Sequence, residues 1–321
     1  MGENKEMFEF ITNNPHRGFP QSRKTLQDLI NIETLLRVVL GMLMLSMGLS
    51  LTTKDFQYII QNPRIIIGGL TLKMVVFPIV GVAIANLTGL SPTFQLGVFL
   101  LLICPGGTTD NVIAYWFSGT IALTISLTIV VSFMSVITIP LLTNWGYKFY
   151  FGDSVTVDLP VLETIANIFF AVILPVFVGM LFKMNFSKPA DVAEKVLKNV
   201  SIVLLAIIYL IKFFASKENG GAEFTKHDIV VLLPVLFIIN VLGMVMGFYV
   251  PKLFGIGNRD SMTIGLELGL QNVSLALLVG SVLLQNEELV KPALIYAMFS
   301  FWTAALFAFL IKKRFSKKSW L

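Results

Sequence analysis

Residues 104–111 read CPGGTTDN and sit inside an otherwise apolar stretch, 93–118. Pro105 removes a helix hydrogen-bond donor, and Gly106 and Gly107 permit backbone angles that a helix refuses. Thr108, Thr109, Asp110 and Asn111 follow at once, as capping residues do where a new helix begins. The stretch reads as a helix broken at Pro105, Gly106 and Gly107 and then restarted. A second stretch, IGLELGLQN at 264–272, is similar. Gly265 and Gly269 flank Glu267, and Gln271 and Asn272 follow. Its glycine spacing is also that of close helix packing, but packing alone does not explain Glu267, Gln271 and Asn272 together.

Both stretches belong to a chain built for lipid. Of 321 residues, 55% are hydrophobic and 13% charged, with a mean hydropathy of +0.81. A soluble domain is about 25% charged, and one of this length must present a wide polar surface. The composition excludes a water-soluble globule. The single cysteine, Cys104, excludes a disulfide scaffold. The net charge of +5 fits basic loops on one side of a membrane rather than a nucleic-acid partner.

A helix needs about 20 mostly apolar residues to cross a bilayer. Nine segments qualify: roughly 34–53, 64–88, 93–118, 120–145, 159–182, 196–216, 229–251, 261–286 and 292–311. They form one transmembrane domain, 34–311, in an all-α polytopic integral membrane protein. Prolines inside spans (Pro78, Pro140, Pro175, Pro234) are tolerated in bundled membrane helices. Residues 1–33 are polar and lack the pattern of a signal peptide; they are expected to be a tail or a short surface helix. Residues 312–321 are expected to be a basic tail, and KKRFSKK at 312–318 marks the cytoplasmic side. Nine spans then place the C-terminus in the cytoplasm and the N-terminus outside, in a plasma membrane or bacterial inner membrane.

Nearly all charges can be assigned to tails, loops or span ends. Lys73, Asp110 and Glu267 cannot. A charge at membrane depth costs at least about 2.5–3.5 kcal/mol, so it should face a protein interior or a wet cavity. An ion pair between Lys73 and one acid is the plain structural explanation. It leaves the second carboxylate over, and that surplus charge asks for a cation or a proton.

The broken segments are the third and eighth spans, so they cross in opposite senses. Two broken helices at matching places in inverted halves point to a secondary transporter. Half-helix N-termini attract an anionic substrate, while carbonyls and carboxylates offer oxygen to a cation. No enzyme is expected. His16 and His227 lie in polar segments, and no nucleophile, metal-ligand or phosphate-loop pattern appears.

At these residues the sequence resembles the bile acid:sodium symporter family. The resemblance rests on MGLSLTTKDF (47–56), NPRIIIGG (62–69), CPGGTTDNVIAYWFSGTIALTISLT (104–128) and LELGLQNVSLA (266–276), and covers the chain from about residue 35. It implies two inverted five-helix repeats, here about 34–150 and 155–311 with the first helix missing. It also implies two broken, crossing helices and a division into core and panel parts. It places a first sodium site at Asp110, Asn111, Thr124, Thr128 and Glu267. A second site would use Glu267, Gln271 and the position held here by Lys73. Substrate contacts fall on Thr108, Thr109 and Asn272, and on the last helix at Thr303, where neighbouring Ala304 weakens the usual polar pair.

The resemblance implies an organic anion substrate, bile acid-like or a small carboxylate such as pantoate, moved by alternating access with sodium. No other metal, no cofactor and no obligate protein partner are expected. This sequence departs from the family at two places. The family usually has a small polar residue at Asp110 and a glutamine at Lys73. An ammonium has donors and no acceptor, so Lys73 cannot ligate sodium and is expected to replace the second ion, leaving one sodium. Proton coupling or uncoupled exchange is the alternative, and an anion-binding receptor or channel a more distant one.

Overall fold

The computed structural model describes residues 32–107, 109–152 and 161–315. Of the tail expected at 1–33, residues 1–31 lie outside the described residues, as do those from 316 onward, and residues 32 and 33 belong to the first helix rather than to a tail.

Twelve helices make up the described chain. α1 (Ile32–Ser50) is followed by a short helix, α2 (Thr53–Gln61), that the reading of spans did not anticipate. Its start is a capping box: the Thr52 amide and hydroxyl both donate to Asp55, at 2.8 and 2.7 Å, satisfying groups that a helix start leaves orphaned. Ser126 then ties α2 to a later helix by donating to the Asp55 carbonyl at 3.1 Å.

α3 (Pro63–Leu87) and α7 (Val161–Asn185) are continuous spans. Each widens into a π turn, Leu72–Val76 in α3 and Phe169–Ile173 in α7. Pro78 and Pro175 sit just after these turns. A proline ring clashes with the carbonyl four residues back, and a widened turn relieves that clash without ending the helix. The first broken span is two helices, α4 (Pro92–Ile103) and α5 (Thr109–Trp116). α6 (Ile121–Phe151), α8 (Ser187–Phe214) and α9 (Lys226–Leu253) are long spans. The second broken span is α10 (Asn258–Gly269) and α11, which runs from Val273–Leu277 into a π turn, Leu278–Leu283. α12 (Lys291–Arg314) closes the chain. Eight helices among the described residues are long and apolar enough to cross a membrane. The second broken span, Asn258–Leu283, counts as one of these eight, and the remaining expected span, 93–118, is the first broken one, whose apolar half Pro92–Ile103 is shorter.

The helices form two groups. α1 packs on α7 and α8, and the approach is close because Gly48 and Gly179 face each other across α1 and α7. A Cβ on Gly179 would stand 2.8 Å from the Leu49 nitrogen. The second group holds α3–α6 and α9–α12, with α9 packed on both α10 and α12. We call the first group the panel and the second the core. They meet where α1 touches α11, α7 touches α6 and α8 touches α12.

Some sequence expectations need correction. Gly265 is not at a helix break. It lies within α10, where a Cβ would approach the Met244 carbonyl at 2.8 Å, so it serves the packing of α10 on α9. Gly269 is the last residue of α10, and the break itself is Leu270–Asn272. Lys312–Arg314 belong to α12 rather than to a tail. Lys212, near the end of the expected span 196–216, and Lys291, in the loop before 292–311, are both buried.

Candidate functional site

The two breaks cross. The Asn272 amide donates to the Pro105 carbonyl at 2.9 Å, so each interruption satisfies a backbone group of the other. That is what permits irregular backbone at this depth. Asn272 also caps α11, its side-chain oxygen accepting from the Leu275 amide at 3.0 Å. Gln271 folds back to donate to the Leu268 carbonyl at 2.8 Å.

The three charges expected at depth gather here. Lys73, Asp110 and Glu267 are all buried. Lys73 lies in the π turn of α3. Its ammonium donates to the Gln271 side-chain oxygen at 2.5 Å and to the Glu267 main-chain carbonyl at 3.1 Å. The plain salt bridge between Lys73 and Asp110 is not formed: no ion pair among the described residues includes Lys73. It faces uncharged oxygens at the unwound end of α10.

The carboxylates have a different arrangement. One Glu267 oxygen accepts from the Thr128 hydroxyl at 3.3 Å, and one Asp110 oxygen from Thr109 at 3.4 Å. The other oxygens, Oδ2 of Asp110 and Oε1 of Glu267, are buried without a hydrogen-bond partner. Both point to the side of Gly106 that a Cβ would fill. Two adjoining carboxylates repel unless a cation or a shared proton lies between them. An all-oxygen donor set suits a hard cation. Thr128 sits beside Glu267. Thr124 is fully buried, and its hydroxyl donates back to the Thr120 carbonyl at 3.3 Å. Asn111 has a buried side-chain oxygen with no partner.

Beside this cluster is a cavity of about 470 Å³ between the two helix groups. Leu43 and Met44 of α1 and Ile202, Leu205, Ala206 and Tyr209 of α8 form the panel wall. Gly107, Thr109 and Leu270–Ser274 form the core wall, with Ser300 and Phe301 of α12. Thr109 and Asn272 therefore line it. Thr108 lies outside the described residues. Thr303 stands behind the wall, where its hydroxyl donates to Asn240 at 2.6 Å.

That contact belongs to a network the sequence reading missed. Asn240 of α9 donates to the Gly269 carbonyl at 2.7 Å and to Tyr296 at 2.9 Å, and Tyr296 donates to the same carbonyl at 2.7 Å. Two donors thus satisfy a carbonyl that α10 leaves free at its end. A signal existed: Asn240 lies alone within the apolar span 229–251. Tyr209, Ser274 and Ser300, which also line the cavity, carry no such signal.

These features define an integral membrane protein organised around two interrupted, crossing helices. The sequence profile of the Sodium Bile acid symporter family matches residues 37–221, and the chain belongs to that family. It is 30% identical over 259 residues to a rice chloroplast protein (Oryza sativa subsp. japonica) named "probable sodium/metabolite cotransporter". That match covers 81% of this chain and 59% of the rice protein, so the chain spans about three fifths of that relative. It is 28% identical to the ileal sodium/bile acid cotransporter of rabbit (Oryctolagus cuniculus), covering 86% of this chain and 78% of the relative. It is 27% identical to the uncharacterized sodium-dependent transporter YocS of Bacillus subtilis (strain 168), covering 84% and 80%.

Proposed function

We propose that the protein is a secondary transporter that moves an organic anion together with sodium by alternating access of its core and panel. The observation that carries this reading is the pair of unpartnered carboxylate oxygens beside Gly106, next to a cavity that meets the starts of two half-helices. Sodium lies between Asp110 and Glu267, with Thr128, Thr124 and Asn111 completing its surroundings. The substrate anion lies in the cavity, where the positive ends of α5 and α11 and the side chains of Thr109 and Asn272 meet it. The apolar panel wall suits an anion with an apolar body. Cation and anion neutralise one another, so each favours binding of the other.

Lys73 takes the place of a second sodium ion. Its ammonium sits against Gln271 and the Glu267 carbonyl, which are oxygens of the kind that a sodium ion would use. One cation is then left to be supplied for two carboxylates, so one sodium ion moves per anion. The repeats, 34–150 and 155–311, move the crossing of the breaks from one face to the other. The C-terminus is cytoplasmic, so the face on which α1 begins is external.

Proteoliposomes with a labelled organic anion test the reading. Uptake driven by an inward sodium gradient, with counterflow acceleration, is expected. A receptor gives no uptake and a channel no acceleration. Proton coupling is the second reading, favoured by the adjoining carboxyl groups. Uptake driven by a pH gradient with no sodium present would establish it in place of sodium.

A further inference from the structure

We infer that Lys212, Glu287 and Ser281, together with the contact of Tyr209 with Ser274, form a two-tier latch that closes the cavity on the face where α1 begins. The inference rests on the transport reading above, because a latch matters only if panel and core separate. Lys212 is in the last turn of α8, on the panel. Its side chain is 2% exposed, and its ammonium meets a Glu287 oxygen at 2.6 Å. Glu287 opens the short 3₁₀ turn Glu287–Val290 that joins α11 to α12, on the core. Its second oxygen accepts from Ser281 at 3.1 Å. One partner thus stands on each of the two groups. The turn that carries Glu287 is itself anchored. Lys291 meets Glu288 at 2.6 Å and Asp228, at the start of α9, at 2.9 Å.

The second tier lies one helical turn back along α8. The Tyr209 hydroxyl is 3.5 Å from the Ser274 hydroxyl, and both residues line the cavity. Three residues of helix advance about 4.5 Å, so the ion pair sits just past the end of the cavity at Tyr209. The remaining panel wall, Ala206, Leu205 and Ile202, runs toward the opposite face. There the ion pairs of the panel, Lys183 with Asp191 and Lys198 with Glu194, are internal to it. Among the described residues, Lys212–Glu287 is the ion pair that joins panel to core.

An ion pair suits this task. When the cleft opens, water enters and both charges are hydrated, so separation strands neither. Removing one partner acts differently. It leaves the other charge enclosed and uncompensated only in the closed form, and so drives the equilibrium toward opening on this face.

The test uses the full chain with Cys104→Ser and one reporter, Ala297→Cys, which lines the cavity. A membrane-impermeant maleimide is added on the face where α1 begins. Lys212→Ala or Glu287→Gln should raise the labelling rate at least fivefold. The exchanged pair, Lys212→Glu with Glu287→Lys, should return it to within twofold of the parent and also shows that the variants fold. Labelling that does not respond to either single change overturns the latch. In a separate variant without the reporter, Lys212→Cys with Glu287→Cys joined by a cleavable bifunctional thiol reagent should lose counterflow and regain it on reduction. Counterflow that survives the bridge also overturns the latch. If labelling responds but the parent gives no counterflow, the transport reading fails and the latch stands. If counterflow is present and labelling does not respond, the latch fails alone.

Discussion

Lys73 is bonded to Gln271, at 2.5 Å, and to neither of the two carboxylates buried near it. Its positive charge is held at the unwound end of α10 by oxygens that carry no full charge. Asp110 and Glu267 consequently keep one unpartnered oxygen each, on the same side of Gly106. A salt bridge would have used up that capacity. The geometry separates a fixed cation from a place where an exchangeable one can bind.

Replacing the fixed cation should change the stoichiometry. Lys73→Gln removes the ammonium and supplies an amide oxygen in its place. The Hill coefficient for sodium in anion uptake should rise from about 1 to about 2, since the uncompensated carboxylate charge needs one more cation. Direct flux measurement with radioactive sodium checks this. Two sodium ions per anion in the unaltered protein would refute the proposed role of Lys73.

Gly106 should tolerate no side chain. A Cβ there enters the space shared by Asp110 Oδ2 and Glu267 Oε1. Gly106→Ala should lose sodium-dependent uptake by more than about tenfold, at a stability cost of about 1–3 kcal/mol for overpacking. Uptake at fixed surface expression, beside a thermal melt, separates the two effects. Unchanged sodium dependence would move the ion elsewhere.

The Asn240 network should matter for stability more than its distance from the cavity implies. Asn240→Leu removes donors to the Gly269 carbonyl and Tyr296 and leaves Thr303 without its acceptor on Asn240. Losing partners from buried polar groups costs about 1–3 kcal/mol. A thermal melt in detergent should show a larger fall for Asn240→Leu than for Thr303→Val, which removes one hydroxyl. Equal falls would place the energy in Thr303 instead.

Two glycines of α1 make a paired test of the panel. A Cβ on Gly48 collides with the Val176 backbone carbonyl, whereas one on Gly41 meets nothing within 4 Å. Gly48→Ala should therefore destabilise by about 1–3 kcal/mol. Gly41→Ala should be neutral or stabilise slightly, since alanine is the better helix former. Similar melting temperatures for both would mean that α1 and α7 yield easily.

Much of the fold was legible because membrane spans advertise themselves by length and apolarity. The first break was visible because Pro105, Gly106 and Gly107 fall together and capping residues follow them, the second because Glu267, Gln271 and Asn272 crowd polar groups at membrane depth. Gly265 misled because a glycine reads alike at a break and at a close contact, and only the position of Met244 distinguishes them. The helix at Thr53–Gln61 was missed because it is short and amphipathic, with few apolar residues to signal it.

Sequence alone settled that this chain lives in a membrane, that two of its spans are interrupted, and that Lys73, Asp110 and Glu267 lie at depth. These are properties of composition along the chain, and solvation cost reads them directly. Partnership was decided only by the tertiary structure. Lys212 looks like a span-end lysine that reaches water until Glu287, 75 residues later, is brought beside it. Lys73 could have neutralised Asp110 until the crossing of the two breaks put Gln271 in front of it. Burial of a charge can be read from its neighbours in sequence, but what compensates that charge depends on residues that only folding brings near.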